Sequence, residues 1–374
     1  MKTDKFFYIC IILFSAIFIW LGNFLVAQNI SIESEREVVS ARVTNIVERN
    51  KDLHETGGGL IFTNLFIIFE AYYNGEIVTG EFSSFGTPEN IQREIRVGDR
   101  VILSFSGLTN RFLFIEYERI NYIIVLAFFL GLIFIVLGRM KGIAAIVALI
   151  ITCLAIFLVL VPAILSGRNI YVVSIAVTIF SIGTTLAIVA GKTKKSLAAF
   201  IGCISGVFLA SIIMYSMDIF LNLTGLIDTE TRSLVYFQTD YAINIRAVIF
   251  AGVIIGASGA ITDVAMSISS ALWEVQKNNT TKKELFKSGI EIGKDILGTM
   301  LNTLILAYIG TSLSLILLIQ SHTTSFLELF NTEMIIVELL RSIVGSFGML
   351  AAVPVTALIC SIFYNEKNSE KIKP

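Results

Sequence analysis

The sequence predicts a polytopic α-helical membrane protein of eight transmembrane helices with a small extracytoplasmic β-barrel-like domain. Three observations predict it. Hydrophobic residues fill 55% of the 374 positions and charged residues 15%, with a mean hydropathy of +0.81; soluble domains are nearer a quarter charged. Eight apolar runs approach or exceed the roughly 20 residues that cross a hydrocarbon core. One long interval of mixed polarity, residues 28–121, alternates with the period of two that marks strands. This composition argues against a disordered chain, a nucleic-acid-binding protein or an ordinary soluble enzyme. A net charge of −1 offers polyanions nothing.

The spans fall at about residues 6–27, 122–137, 143–165, 171–190, 197–221, 247–272, 296–319 and 343–363. The second is the shortest. Basic residues flank every second connection: Lys2 and Lys5; Arg139 and Lys141; Lys192, Lys194 and Lys195; Lys277, Lys282, Lys283 and Lys287; Lys367, Lys371 and Lys373. The alternate short connections carry far fewer, which puts both termini in the cytoplasm. The chain then divides into an N-terminal membrane anchor (1–27), the β-domain (28–121), spans two to five (122–221), an outer loop (222–246), spans six to eight (247–363) and a cytoplasmic tail (364–374). The first run has a charged start like a signal peptide. Its apolar core is too long for one, and Leu25-Val26-Ala27 is a poor cleavage site, so an uncleaved anchor is expected.

In the β-domain, 38–44, 65–69, 77–82, 101–105 and 111–117 read as strands. Asn74-Gly75 between the second and third is a two-residue hairpin signal, because a type I′ turn needs positive φ at both positions. Five or six short strands suggest a small barrel, such as the oligonucleotide/oligosaccharide-binding type. The interval 28–121 holds 9 basic and 14 acidic side chains, which disfavours anionic polymers as ligands. Gly57-Gly58-Gly59 lacks the Lys-Ser/Thr and helix of a phosphate loop and reads as a flexible loop. The four cysteines (Cys10, Cys153, Cys203, Cys360) lie in apolar runs without ligand spacing and read as small buried hydrophobes. His54 and His322 are too few and too far apart for a His-based metal site or a Ser/His triad. No cofactor is implied.

The working residues are expected inside the membrane. Asp263 lies in span six, about 5 Å to the cytoplasmic side of its middle. An ionisable group there costs roughly 2.5–3.5 kcal/mol on insertion scales, so it must face protein or water. Gly252, Gly256, Gly259, Asp263, Ser267 and Ser270 recur at helical steps. They predict a small, polar stripe against which another helix packs closely. In span seven, Asp295, Thr299 and Asn302 share a face beside Thr303, and Gly298 and Gly310 offer close approach. Thr299, Asn302 and Thr303 could bond Asp263 in either protonation state. Asp295 at the cytoplasmic mouth suits a first-turn dipole position. Glu338 and Arg341 are spaced for an ion pair near the outer surface, and these two with Asp295 are gating candidates. Pro354 lies deep in span eight and predicts a kink. Arg246 is expected to snorkel, Asp218 to be interfacial, and Gly202 and Gly206 are spaced for packing. Thr281 and Glu284 fit a capping box opening a short helix before span seven.

Residues 259–271, 293–308, 345–348 and 352–357 resemble the signature of the bacterial YibE/F-like membrane proteins, over about residues 247–363. The resemblance implies a multi-pass protein of the bacterial cell membrane without an established activity. A weaker similarity is to SecF and to resistance-nodulation-division exporters. It implies Asp263 in the proton carrier's place and Asn302 and Thr303 as its polar neighbours, although SecF has six spans. Two functions are expected from this. One is a proton-coupled transport or export component, with the β-domain engaging an envelope protein or small-molecule cargo. The other is a non-transporting envelope scaffold or assembly factor acting through the β-domain. Neither is an enzyme. The bilayer is a partner in both, nucleic acid in neither, and a homo- or hetero-oligomer fits either.

Overall fold

The computed structural model describes residues 2–27, 38–55, 61–87, 93–106, 111–235, 241–278, 280–322 and 325–370. The chain divides into two compact units, one of Met1–Ser31 with Ile135–Pro374, the other Ile32–Phe134.

The second unit holds β1 (Val38–Glu55), β2 (Ile61–Tyr73), β3 (Glu76–Gly86), β4 (Arg100–Ser106) and β5 (Arg111–Tyr117). They form a mixed sheet in the order β1-β2-β3-β5-β4, and β4 pairs back to β1, so the ladder closes. All pairings are antiparallel except β3 with β5. The alternation that predicts strands is strictest in β2, where Thr63, Leu65, Ile67, Phe69 and Ala71 are all buried. With Val43, Phe82, Val101 and Leu103 they form the core. Asn74 and Gly75 turn at φ 48° and 97°, as the hairpin requires. Gly80 pairs with Phe69, whose ring lies where a Cβ on Gly80 would stand. β1 and β2 run well beyond the expected strands, and β1 bends at two register shifts. The glycine run at 57–59 lies outside the described residues. This stretch of chain ends in α2 (Ile120–Gly138), none of whose residues is buried.

The helical unit contains α1 (Lys2–Ala27), then α3 (Met140–Ala155), a π-helical turn at Ile156–Leu160 and α4 (Val161–Leu165) as one span. There follow α5 (Ile170–Ala190), α6 (Lys194–Phe220), α7 (Thr229–Val235), α8 (Ile245–Val275), α9 (Lys282–Thr311), α10 (Leu313–His322), α11 (Phe326–Asn331) and α12 (Glu333–Glu370). Among the described residues eight helices are long and apolar enough to cross a membrane, one for each expected span. The protein is a multi-pass membrane protein.

Apolar burial does not drive helices together in lipid, so close backbone approach does much of the work. α6, α8 and α12 interlock that way. A Cβ on Gly206 would lie 2.5 Å from the Gly348 carbonyl oxygen, and one on Gly348 3.2 Å from that of Gly206. Gly202 sits against Thr356, and Gly289 and Gly293 of α9 sit against Ala357 and Val353 of α12. Around these contacts Val207, Ile254, Ile261, Ile268 and Val344 are fully buried. At one end Tyr364 donates to the Ser269 carbonyl at 3.0 Å, tying α12 to α8. At the other, the Glu333 carboxylate accepts from the Thr224 and Gly225 amides, each at 2.7 Å. α1 packs on the third and fourth spans, with Phe18 stacked on Phe180 at 3.9 Å.

Two expectations about span seven change. Thr281 and Glu284 do form a capping box, but the helix they open runs unbroken from Lys282 to Thr311. The apolar run beyond it turns at Ser312 and continues as α10. Asp295 is thus mid-helix and has no first-turn dipole role. Pro354 sits inside the continuous α12 on an exposed face. Cys203 and Cys360 are buried, whereas Cys10 and Cys153 are exposed.

Candidate functional site

α8 has two unlike faces. Val253, Ala257, Ile261, Val264, Ala265 and Leu272 are buried among the other helices. The small-residue stripe is turned away from them. A Cβ on Gly252 or Gly259 would meet nothing within 4 Å, and Asp263 and Ser267 are exposed. The tight seam expected along Gly252, Gly256, Gly259 and Asp263 is therefore absent from the single chain. The packed face mixes Val253, Ile261, Val264 and Leu272 with Ala257 and Ala265, which together give close van der Waals contact with the crossing helices. Gly256 alone meets a neighbour: the Tyr308 hydroxyl of α9 is 3.2 Å from where its Cβ would be.

The α9 residues expected around the carboxyl are present but turned to their own helix. Thr299 donates to the Ile296 carbonyl at 2.9 Å and Thr303 to that of Thr299 at 3.0 Å. Asn302 and Asp295 are exposed on the same side of α9. No hydrogen bond joins Asp263 to any of the four among the described residues. Among the described residues Gly298 and Gly310 have nothing within 4 Å of an added Cβ, so they are not approach points; α9 packs instead through Gly293 and Gly289, five and nine residues before Gly298.

Glu338 and Arg341 meet as their spacing requires, with Nη1 2.6 Å from Oε1, and both side chains are largely buried. The other Glu338 oxygen is buried without a partner. Glu338 borders a cavity of about 200 Å³ between α9, α10 and α12, which Tyr308, Ser312 and Ser342 also line. Tyr308 thus stands over Gly256 on one side and lines the Glu338 cavity on the other. Gly256 is seven residues, about 10 Å, from Asp263 along α8.

Asp218, near the end of α6, is 6% exposed, and its Oδ1 is buried with no hydrogen bond among the described residues. The sequence carried one signal for this, its place within the helical repeat that buries Ala210, Ser211 and Met214. Tyr308 was missed; an aromatic in an apolar run gives no sign of which way its hydroxyl points. Arg246 is exposed at the start of α8.

A sequence model of the family described as YibE/F-like protein matches residues 125–366, nearly two thirds of the chain. The match takes in spans two to five as well as the later region whose motifs resemble the family. Neither the curated proteins nor the solved structures gave a match, and nothing in these comparisons shows the weaker similarity to SecF or the resistance-nodulation-division exporters.

Proposed function

Because this chain belongs to the YibE/F-like family, we propose that it works as a proton-coupled transport or export component of a bacterial cell membrane, with Asp263 as the proton carrier. The observation that carries this reading is the state of Asp263. It is an exposed carboxyl near the middle of a membrane span, without a hydrogen bond or ion pair among the described residues. A carboxyl kept only for packing would be buried and bonded. One left open, at a cost of roughly 2.5–3.5 kcal/mol, is available to take and release protons. Tyr308 and the free Glu338 oxygen continue the polar groups away from it, with Arg341 setting the Glu338 orientation. Asn302, Thr299 and Thr303 supply polar neighbours on α9. In this reading both termini are cytoplasmic, the β-domain is extracytoplasmic and engages a protein or small-molecule cargo, and no bond is made or broken.

The test uses the full chain in sealed vesicles carrying a pH-sensitive dye. An imposed pH gradient should dissipate faster with the wild type than with Asp263→Asn, by at least about tenfold, since Asn cannot exchange a proton. Asp263→Glu should retain part of the flux. Equal flux in wild type and Asp263→Asn removes the carrier. If deleting the β-domain then abolishes cellular function while Asp263→Asn spares it, an envelope scaffold is the correct reading.

A further inference from the structure

The β-containing unit carries a second site, independent of Asp263. Residues 28–121 are net acidic, with 9 basic and 14 acidic side chains, yet four of the nine basic residues converge. Arg42, Arg93, Arg100 and Arg119 line one cavity of about 630 Å³, together with Tyr117 and, from the first turns of α2, Tyr122.

The sheet forces part of this convergence. Arg42 of β1 and Arg100 of β4 are direct cross-strand partners, and like charges directly opposite destabilise a sheet. Neither guanidinium has an ion pair or hydrogen bond among the described residues. Asp99 and Glu118 line the same cavity, each already held by other groups. Asp99 accepts from Arg93 at 3.0 Å and from the Arg96 amide at 2.8 Å. Glu118 accepts from the Ser40 hydroxyl at 2.7 Å and the Asn121 amide at 2.6 Å. The Ser40 bond first, then that of Asn121 and the positive charge of Arg100, hold its carboxyl below the ordinary range. Tyr117 braces the other two arginines. The Arg93 and Arg119 guanidinium carbons are each 5.6 Å from its ring centroid, and its hydroxyl donates to the Arg93 carbonyl.

Arg93 is paired with Asp99 at 3.0 Å and Arg119 with Glu116 at 3.1 Å, whereas Arg42 and Arg100 have no direct partner among the described residues; four arginines against the two carboxylates of the lining form a receptor for a phosphate, which guanidinium forks bind bidentately. Location decides what carries that phosphate. The cavity wall includes Tyr122 and Val125, and α2, the candidate span they open, has its whole apolar flank uncovered. We propose that this cavity binds the phosphate of an anionic phospholipid, whose acyl chains lie along α2.

The test compares lipid retention by the full chain in mixed micelles of phosphatidylglycerol and phosphatidylcholine, read by native mass spectrometry. Wild type should prefer phosphatidylglycerol by about tenfold to thirtyfold over Arg42→Gln/Arg100→Gln, the loss expected for two interfacial arginines. Arg96→Gln should behave as wild type. An unchanged preference in the double variant overturns the proposal. So does displacement of the lipid by inorganic phosphate at equal concentration, which would make this a site for soluble phosphate. In neutral detergent the double variant should unfold no earlier than wild type, because it relieves a like-charge pair. Earlier unfolding would make the arginines structural and also overturn the assignment.

Discussion

Two sets of glycines in the helical unit have the same spacing and opposite surroundings. Gly202 and Gly206 of α6, with Gly345 and Gly348 of α12, recur at steps of four and three; so do Gly252, Gly256 and Gly259 of α8. The first set is locked. Gly206 and Gly348 each lie against the other's carbonyl oxygen, and Gly345 lies against Leu304 and Ala257. The second set faces open space apart from the Tyr308 hydroxyl. Spacing permits close approach but does not select a partner. What selects it is reciprocity, a backbone on the other helix that itself lacks side chains at the crossing. α8 covers a face of mixed large and small residues, Ile261 and Val264 beside Ala257 and Ala265, and leaves Gly252 and Gly259 on the face that carries Asp263.

The comparison is broken most severely at Gly206. An added methyl would meet the backbone of Gly348 at 2.5 Å and the Ile261 side chain at 2.8 Å. A backbone cannot rotate away as a side chain can, so α6 and α12 must separate. Gly206→Ala is expected to cost about 3 kcal/mol or more, read as a lowered unfolding midpoint in detergent. A midpoint within a degree of wild type would mean the α6–α12 seam is not set by this contact. Gly80→Ala in the sheet is the intermediate case. Its methyl would stand 2.4 Å from the Phe69 ring, which is a side chain but is fully buried. A loss of about 1–3 kcal/mol is expected, and Gly80→Ala with Phe69→Leu should recover part of it. No recovery would place the strain in the β3 backbone instead.

The same contrast explains what the sequence made legible. The eight spans follow from apolar length, the β2–β3 turn from Asn74-Gly75, and the start of α9 from Thr281 and Glu284, because each depends on neighbours in sequence. The face on which α8 packs does not. In a span apolar on all sides, Ile261 and Gly259 differ little to lipid, and only the crossing helices decide which is covered. The end of span seven was misplaced for a related reason: apolar residues continue past Thr311, and hydropathy is blind to the turn at Ser312. The arginine cavity is equally hidden. Arg42 and Arg100 are 58 positions apart, and it is the β1–β4 register that sets them side by side. Asp218 lies two residues from the end of α6, and its burial there is likewise set by the neighbouring helices rather than by its position along the span.

The smallest effect is the most discriminating. A glycine within a helix costs about 0.5–1 kcal/mol relative to alanine through lost backbone order. At Gly259 an added methyl meets nothing within 4 Å, so in a single chain no packing opposes that gain. Gly259→Ala should therefore raise the unfolding midpoint of the dilute protein slightly, by the equivalent of about 0.5–1 kcal/mol. If the stripe is covered by a second copy in the assembled protein, the methyl pushes that helix away. The variant would then shift the assembly toward monomer and lower the midpoint at high protein concentration. Unfolding scans of wild type and Gly259→Ala over a wide concentration range separate the two cases by the sign of the shift. A gain at every concentration keeps Asp263 off any subunit boundary and open to water. A change of sign with concentration places it at a subunit boundary, where a proton would have to pass between chains.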